Sequence, residues 1–256
     1  MKKNLRLILV ITALGALGIL FNVPNQISLL QSTAIPEIPI PISIIIAFSL
    51  LQQIAMLFLL TFAGIQLQEK TGLDIPHIRS WVYKTAKAPF SSKWILLSLT
   101  ISFFLTLLVV FLDHFILVPN IDLSSIQPIE AYWWQGLLTM FYGGLTEEIM
   151  LRLFTMTLIV WLLAKIFRRK NNADSAVILW VSIVLASVLF GIGHLPATAT
   201  VFGELTLLLV LRAIVLNSIL GIWFGFLYWK KGLEYAMIAH MGADLFLHVI
   251  LSNIFS

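Results

Sequence analysis

Residues 131–166 read AYWWQGLLTMFYGGLTEEIMLRLFTMTLIVWLLAKI, and this stretch decides what kind of fold the chain can adopt. It is apolar towards both ends, carries Glu147, Glu148 and Arg152 in its middle, and has Lys165 beside its last residue. A helix that crosses a bilayer needs about 20 predominantly apolar residues. In hydrocarbon, only helices and closed barrels satisfy their own backbone. The stretch is long enough to cross, yet it holds three charges midway. Each charge at the centre of a spanning helix costs about 2.5–3.5 kcal/mol on insertion scales, so such residues are functional candidates by default.

The rest of the chain has the same character. Of its 256 residues 60% are hydrophobic and 11% charged; a soluble domain carries about 25% charged residues. The mean hydropathy is +0.99. This excludes an ordinary soluble globule, and it excludes disorder, which needs low hydrophobicity and high charge. Further apolar runs cover Leu7–Val23, Ile44–Ile65, Trp94–Leu112, Ser175–Leu195, Leu205–Trp229 and Leu233–Ile254. The expected fold is all-α: one membrane domain over residues 1–256, a bundle of about seven spans with short loops. The chain contains no cysteine, which removes disulfides, thiolate metal sites and a cysteine nucleophile.

The basic residues orient the bundle. Lys2, Lys3 and Arg6 precede the first span. Lys70, Arg79, Lys84, Lys87 and Lys93 follow the second, Lys165, Arg168, Arg169 and Lys170 the fourth, and Lys230 and Lys231 the sixth. Fourteen of the sixteen Lys and Arg thus fall on one side, and Arg152 and Arg212 lie inside spans. The positive-inside rule makes that side cytoplasmic, with the N-terminus in and the C-terminus out. The positive net charge of +4 therefore points to membrane orientation rather than to nucleic acid. The first span has a basic start but no small-residue cleavage site after it, and reads as a retained anchor. Residues 66–93, with Trp81, Tyr83 and several lysines, are expected to lie on the anionic membrane surface.

Successive helix positions are about 100° apart, so Glu147 and Glu148 point different ways. Glu148 and Arg152 are spaced for a helix ion pair, with the Glu on the favourable N-terminal side. Glu147 is left without a partner on its own helix and suits a general base or acid. The fifth run ends Phe190-Gly191-Ile192-Gly193-His194-Leu195-Pro196. The proline places His194 in the last turn, where Phe190, one turn earlier, can pack on the imidazole. The seventh run has His240, Asp244 and His248 on one stripe; His240 and Asp244 can hydrogen-bond along the helix. His248, nearer the outer end, is expected to be a bystander. Asp113 and His114 are expected at the interface, and Arg212 is expected to snorkel or to pair with Glu204.

At 1.5 Å per residue, Glu147 lies roughly 30 Å above the basic turn that follows it, and His240 only about 14 Å above its own. The two meet only if the helix kinks at Gly143-Gly144, if helices tilt, or if spans four and five project into the cytoplasm.

The ordered set Glu147-Glu148-x-x-x-Arg152, Phe190-x-x-x-His194 and His240-x-x-x-Asp244 resembles the three signature motifs of the CPBP intramembrane proteases. That group includes CAAX-processing endopeptidases and bacteriocin-processing or self-immunity membrane proteins. The resemblance covers about half the chain, Trp133 to His248, within a core of 131–250; the three spans in 1–118 carry no motif. It implies hydrolysis of a membrane-associated peptide or protein. Glu147 would activate water with His194, Glu148 and Arg152 would hold the site in place, and His240 and Asp244 would serve the oxyanion. The last position is often Asn in this family. An ionised Asp cannot donate to an oxyanion, so Asp244 is protonated, orients a cationic His240, or binds a metal. Glu147, His194, His240 and Asp244 form a ligand set acceptable to Zn²⁺, but no H-E-x-x-H motif is present. Water activation without metal is the preferred reading, with zinc left open. The alternatives are a non-catalytic scaffold, regulator or self-immunity protein of the same fold, and a transporter. Transporters commonly show internal repeats, and none is visible here.

Overall fold

The computed structural model describes residues 4–32, 40–85, 89–122, 132–167 and 175–251. Lys2, Lys3, Lys87, Arg168, Arg169 and Lys170, and the ends of the spans expected to begin at 131 and to finish at 254, lie outside them. The chain is a helical membrane bundle, and no strand occurs among the described residues. In order the helices are α1 (Leu5–Phe21), α2 (Val23–Ser32), α3 (Ile42–Gln68), α4 (Pro76–Tyr83), α5 (Ser92–Leu112), α6 (Trp133–Phe141), α7 (Thr157–Ile166), α8 (Ala176–Gly193), α9 (Leu195–Phe202), α10 (Leu207–Lys231) and α11 (Leu233–Leu245).

Wide π-type turns, Tyr142–Glu147 and Ile149–Met156, join α6 to α7 in one continuous rod. Another, Phe246–Leu251, extends α11. Five helical stretches are long and apolar enough to cross a membrane, and α1 with α2, bent by 40°, makes a sixth. The stretch expected to form the seventh span is a helical rod, Leu233–Leu251, but it is not among these: the charged and imidazole side chains of the site make it less apolar than the others.

The bundle turns apolar side chains outward and small or polar ones inward. On α5, Leu96, Phe104 and Leu108 are exposed while Ser98, Ser102 and Thr106 are buried. On α3, Phe48 and Leu51 face out while Thr61 and Gly64 face in. An apolar exterior suits lipid, and small residues let helix backbones approach closely. A Cβ at Gly64 would meet the backbone of Leu153, and one at Gly18 the backbone of Phe141. The motif-free spans α1 and α3 therefore pack directly on the rod that carries Glu147.

The two ends differ as the charges imply. At one end Asn4 donates to Glu69, the Leu233 amide to the Asp74 carbonyl, and the Ser91 amide to the Tyr235 hydroxyl. The segment around α4 folds over this end. Gly232, at φ +106°, breaks α10 from α11 there, in a conformation that favours glycine. At the other end Gln135 donates to Ser28, and Arg212 grips Asp113 through two bonds of 2.6 Å. Arg212 thus pairs with Asp113, not with Glu204. Asp113 directly follows α5, which packs beside α10, so its carboxylate can meet the guanidinium side-on as a fork.

The height mismatch is resolved by projection. The Thr157 and Tyr228 hydroxyls lie 3.0 Å apart, which sets Thr157 level with the last turn of α10. The rest of α7, to Ile166, runs about 14 Å past that level. From the Thr157–Tyr228 level, the site residues of the two rods are reached over similar rises.

Candidate active site

Glu147 ends the first wide turn, and Glu148 separates it from the second. Threonine hydroxyls follow the widened spacing: Thr155 donates to the carbonyl of Met150 and Thr157 to that of Arg152, five residues back in each case. Such turns are rare in helices and cluster at functional sites. They aim both carboxylates at α11 rather than at a single neighbouring helix face.

His240 is the centre of what they reach. Its Nδ1 donates to Glu148 Oε1 at 2.9 Å, since a carboxylate oxygen can only accept. Its Nε2 lies 3.7 Å from Glu147 Oε2 and 3.7 Å from Asp244 Oδ1. The contact along α11 to Asp244 is therefore a charge contact rather than the expected hydrogen bond, because the ring is turned towards Glu148. Phe224 stacks flat on the imidazole, with centroids 4.5 Å apart, and Phe190 meets it edge-on at 5.7 Å.

Glu148 and Arg152 are fully buried, with Arg152 Nε 3.5 Å from Glu148 Oε2. The guanidinium makes no hydrogen bond among the described residues. It lies over the rings of Phe190 and Phe224, 5.8 and 6.0 Å from their centroids. A cation so placed is held by a carboxylate and two aromatic faces. The side chains of Glu147 and Asp244 retain 19% and 16% exposure. The two carboxylates that face Nε2 are thus the ones open to a small molecule, while the Glu148–Arg152 pair is sealed behind them.

His194 caps the C-terminal end of α8, as the following proline predicts. Its Nδ1 is 2.9 Å from the Phe190 carbonyl, which can only accept, so Nδ1 carries the hydrogen and Nε2 of the neutral ring keeps its lone pair. Phe190 packs edge-on against His194 at 4.7 Å and bridges it to His240. No His194 nitrogen comes within ion-pair distance of the Glu147 carboxylate. Of the six candidate site residues, Glu147, Glu148, Arg152, His240 and Asp244 form one contact network, and His194 joins it through Phe190.

Among the described residues no three His, Asp or Glu side chains gather as a group that could hold a metal ion. The four residues Glu147, His194, His240 and Asp244 are not gathered as one zinc site, because His194 stands apart; the Nδ1 bond of His240 to Glu148 leaves its Nε2, which faces Glu147 and Asp244, open to a ligand.

Sequence reading missed two partners of His240. One is Glu148, expected to serve only Arg152; the other is Phe224. A signal for the second was present. Gly221 and Gly225, four apart on α10, let α8 come close, and a Cβ at either would fall 3.0 Å from Ser187 or Ile183. That approach brings Phe190 of α8 and Phe224 of α10 to the same guanidinium. The glycine of Gly143 is required by the site itself: a Cβ there would run into the Asp244 carboxylate and come 2.9 Å from His240 Nε2.

Residues 129–246 match the family model described as Type II CAAX prenyl endopeptidase Rce1-like. The match includes all seven motif residues, agrees with the resemblance to the CPBP proteases, and is to a family of membrane proteases. No curated protein matches the chain, and no solved structure does.

Proposed function

We propose that this chain is an intramembrane endopeptidase that hydrolyses a peptide bond of a membrane-associated peptide or protein. The observation that carries the reading is the meeting of two partly open carboxylates, Glu147 and Asp244, on the Nε2 side of one imidazole whose Nδ1 is fixed by buried Glu148. Residues from separate membrane rods converge there, and burying them has no structural need that apolar side chains would not meet better.

In this reading Glu147 takes a proton from a water as the water oxygen bonds to the substrate carbonyl carbon. The Nε2 lone pair of His194 accepts a hydrogen bond from the same water and orients it. An imidazolium at His240 donates from Nδ1 to Glu148 and offers Nε2–H to the developing oxyanion. Asp244 orients and balances that cation, which suits the Asp found at this position. The C–N bond then breaks, and Glu147 returns its proton to the departing amine. Glu148 and Arg152 act through His240, as positioning residues. CAAX-type peptides, bacteriocin leaders and signal peptides are the substrate classes the resemblance implies.

The test is cleavage of a labelled membrane peptide library by purified protein in proteoliposomes. Glu147→Gln should lower the rate at least about a hundredfold, the usual scale for a lost general base, while the protein still elutes as a folded species. Cleavage that persists in Glu147→Gln overturns the proposal and favours a non-catalytic scaffold. Asp244→Asn should keep measurable cleavage if its part is to orient and hydrogen-bond.

A further inference from the structure

Among the five long apolar stretches, α3 is the least covered by its own chain. Only 6% of its apolar core is buried, against 22–44% for the other four. Its inner face, with Leu57, Thr61, Gly64 and Ile65, packs inside the bundle, and Gly64 lies against Leu153. Its outer face presents Phe48, Leu51, Gln52, Ala55, Met56 and Leu59, all exposed. At 3.6 residues per turn these six fall on one side of the helix, with Gln52 inside the stripe rather than at its edge.

Five of the six are apolar, as a surface facing lipid requires. Gln52 is the exception. Other carboxamides of the bundle are bonded inside the chain. Gln53, the next residue, donates to Ser49 and accepts from Gln26; Gln135 donates to Ser28, and Asn217 to the Ala213 carbonyl. Gln52 makes no hydrogen bond among the described residues. It stands ten residues from the first residue of α3 and sixteen from the last, about 15 and 24 Å along the axis, too far for its side chain to reach either end. A carboxamide has two N–H groups and an oxygen to satisfy, and hydrocarbon offers nothing to either. Within lipid such a group finds its partner on a neighbouring helix.

We infer that the outer face of α3 is a contact between two copies of this chain, centred on Gln52. Lipid tails carry no donor or acceptor, and headgroups do not reach this depth. A different membrane protein would need a complementary group at the same height, whereas a second copy has one by necessity. Every copy inserts with the same orientation, so Gln52 lies at one depth in all of them. A two-fold axis along the membrane normal then sets α3 beside α3 with the two carboxamides face to face, the N–H of each donating to the oxygen of the other. α3 carries no charged residue that would oppose the approach, and Ala55, about one turn from Gln52, leaves room for it. The contact is on the far side of α3 from the rod that carries Glu147, and it does not rest on the proposed peptidase activity.

The absence of cysteine permits a direct test on the full chain in native membranes. Phe48→Cys and Leu59→Cys each place one thiol on the outer face of α3, and Leu185→Cys places one on the exposed face of α8. After mild oxidation, both α3 variants should run as a species of twice the chain mass, and Leu185→Cys should stay at the single-chain mass. Adding Gln52→Leu should lower the yield of that species about tenfold, the scale of side-chain hydrogen bonds between helices in lipid, and Gln52→Asn should keep most of it. Gln52→Leu should leave the melting temperature in detergent unchanged, since the residue faces outward. Undiminished cross-linking in Gln52→Leu overturns the inference. So does the lack of any cross-link at Phe48→Cys and Leu59→Cys, or a cross-linked species of another mass, which would mean a different partner. An unfolded Gln52→Leu protein also overturns it, by showing that Gln52 is bonded within the chain. No readout needs cleavage, so failure of the peptidase reading and failure of the contact are separable.

Discussion

Gly143 faces the Asp244 carboxylate so closely that a side chain there would force Asp244 or His240 to move. Gly143→Ala should displace Asp244 or His240 and lower cleavage by at least about tenfold, a conservative figure given that misplacement by about 1 Å can cost a hundredfold. Gly193→Ala supplies the control, because a Cβ there meets nothing within 4 Å; it should leave cleavage intact and the melting temperature equal or higher. Arg152 offers a second contrast. Its removal takes away the cation beside Glu148 Oε2 and leaves that buried carboxylate only its bond from His240; breaking one partner of a buried pair costs about 3–5 kcal/mol. Arg152→Met should therefore unfold or misassemble much of the protein, as read by size exclusion and thermal melting in detergent. Glu148→Gln/Arg152→Met removes both charges and should recover assembly, but not cleavage, because the anchor of His240 Nδ1 is weakened. At this scale the sequence revealed which residues were charged and deep, because the membrane makes such residues conspicuous. It hid the bond between Glu148 and His240, since nothing local links two residues on different rods.

The elements are held by bonds that spacing alone does not reveal. Periodicity predicts a helix over 131–166, and a helix forms. The wide turns at Tyr142–Glu147 and Ile149–Met156 leave no mark in an apolar pattern, yet they aim the carboxylates. The segment around α4 is a second case. It reads as a basic surface loop, while its α4 helix is tied to α11 by the Ile78 amide donating to Glu234 Oε1 at 2.8 Å. This is an N-terminal cap supplied from a distant element, and losing a cap costs about 1 kcal/mol. Glu234→Ala should loosen α4 without unfolding the bundle. Hydrogen exchange over residues 76–85 should speed up at least severalfold, while exchange in α8 and α10 stays as it was. Unchanged exchange over 76–85 would mean that the aromatic contacts of His77, Phe90 and Tyr235 suffice to hold the segment.

At the scale of the whole molecule, composition alone identified a helical membrane bundle, because burying every backbone group in lipid leaves few other choices. The number and order of apolar runs followed from charge placement. Which spans neighbour which did not follow, since lipid-facing and helix-facing surfaces are both apolar and differ mainly in side-chain size. The three N-terminal spans show the gap best. They carry no motif, yet Thr146 donates to the Gly15 carbonyl at 2.7 Å, Gly18 lies against Phe141, and Gly64 against Leu153. α1 and α3 thus brace the Glu147 rod on one side, and α5 packs against α10 and α11 on another. Helices of this kind insert singly and then associate through packing and hydrogen bonds, so the brace does not depend on the covalent link between the halves. Coexpressed fragments 1–122 and 123–256 should copurify and cleave the same peptide as the intact chain. The fragment 123–256 alone should insert but show little or no cleavage, because nothing then holds Thr146 and Leu153 in register. Full activity of 123–256 by itself would show that the motif-bearing spans assemble the site unaided. Gly18→Leu and Gly64→Leu, which push the same helices apart within the intact chain, should reproduce the defect of the isolated fragment.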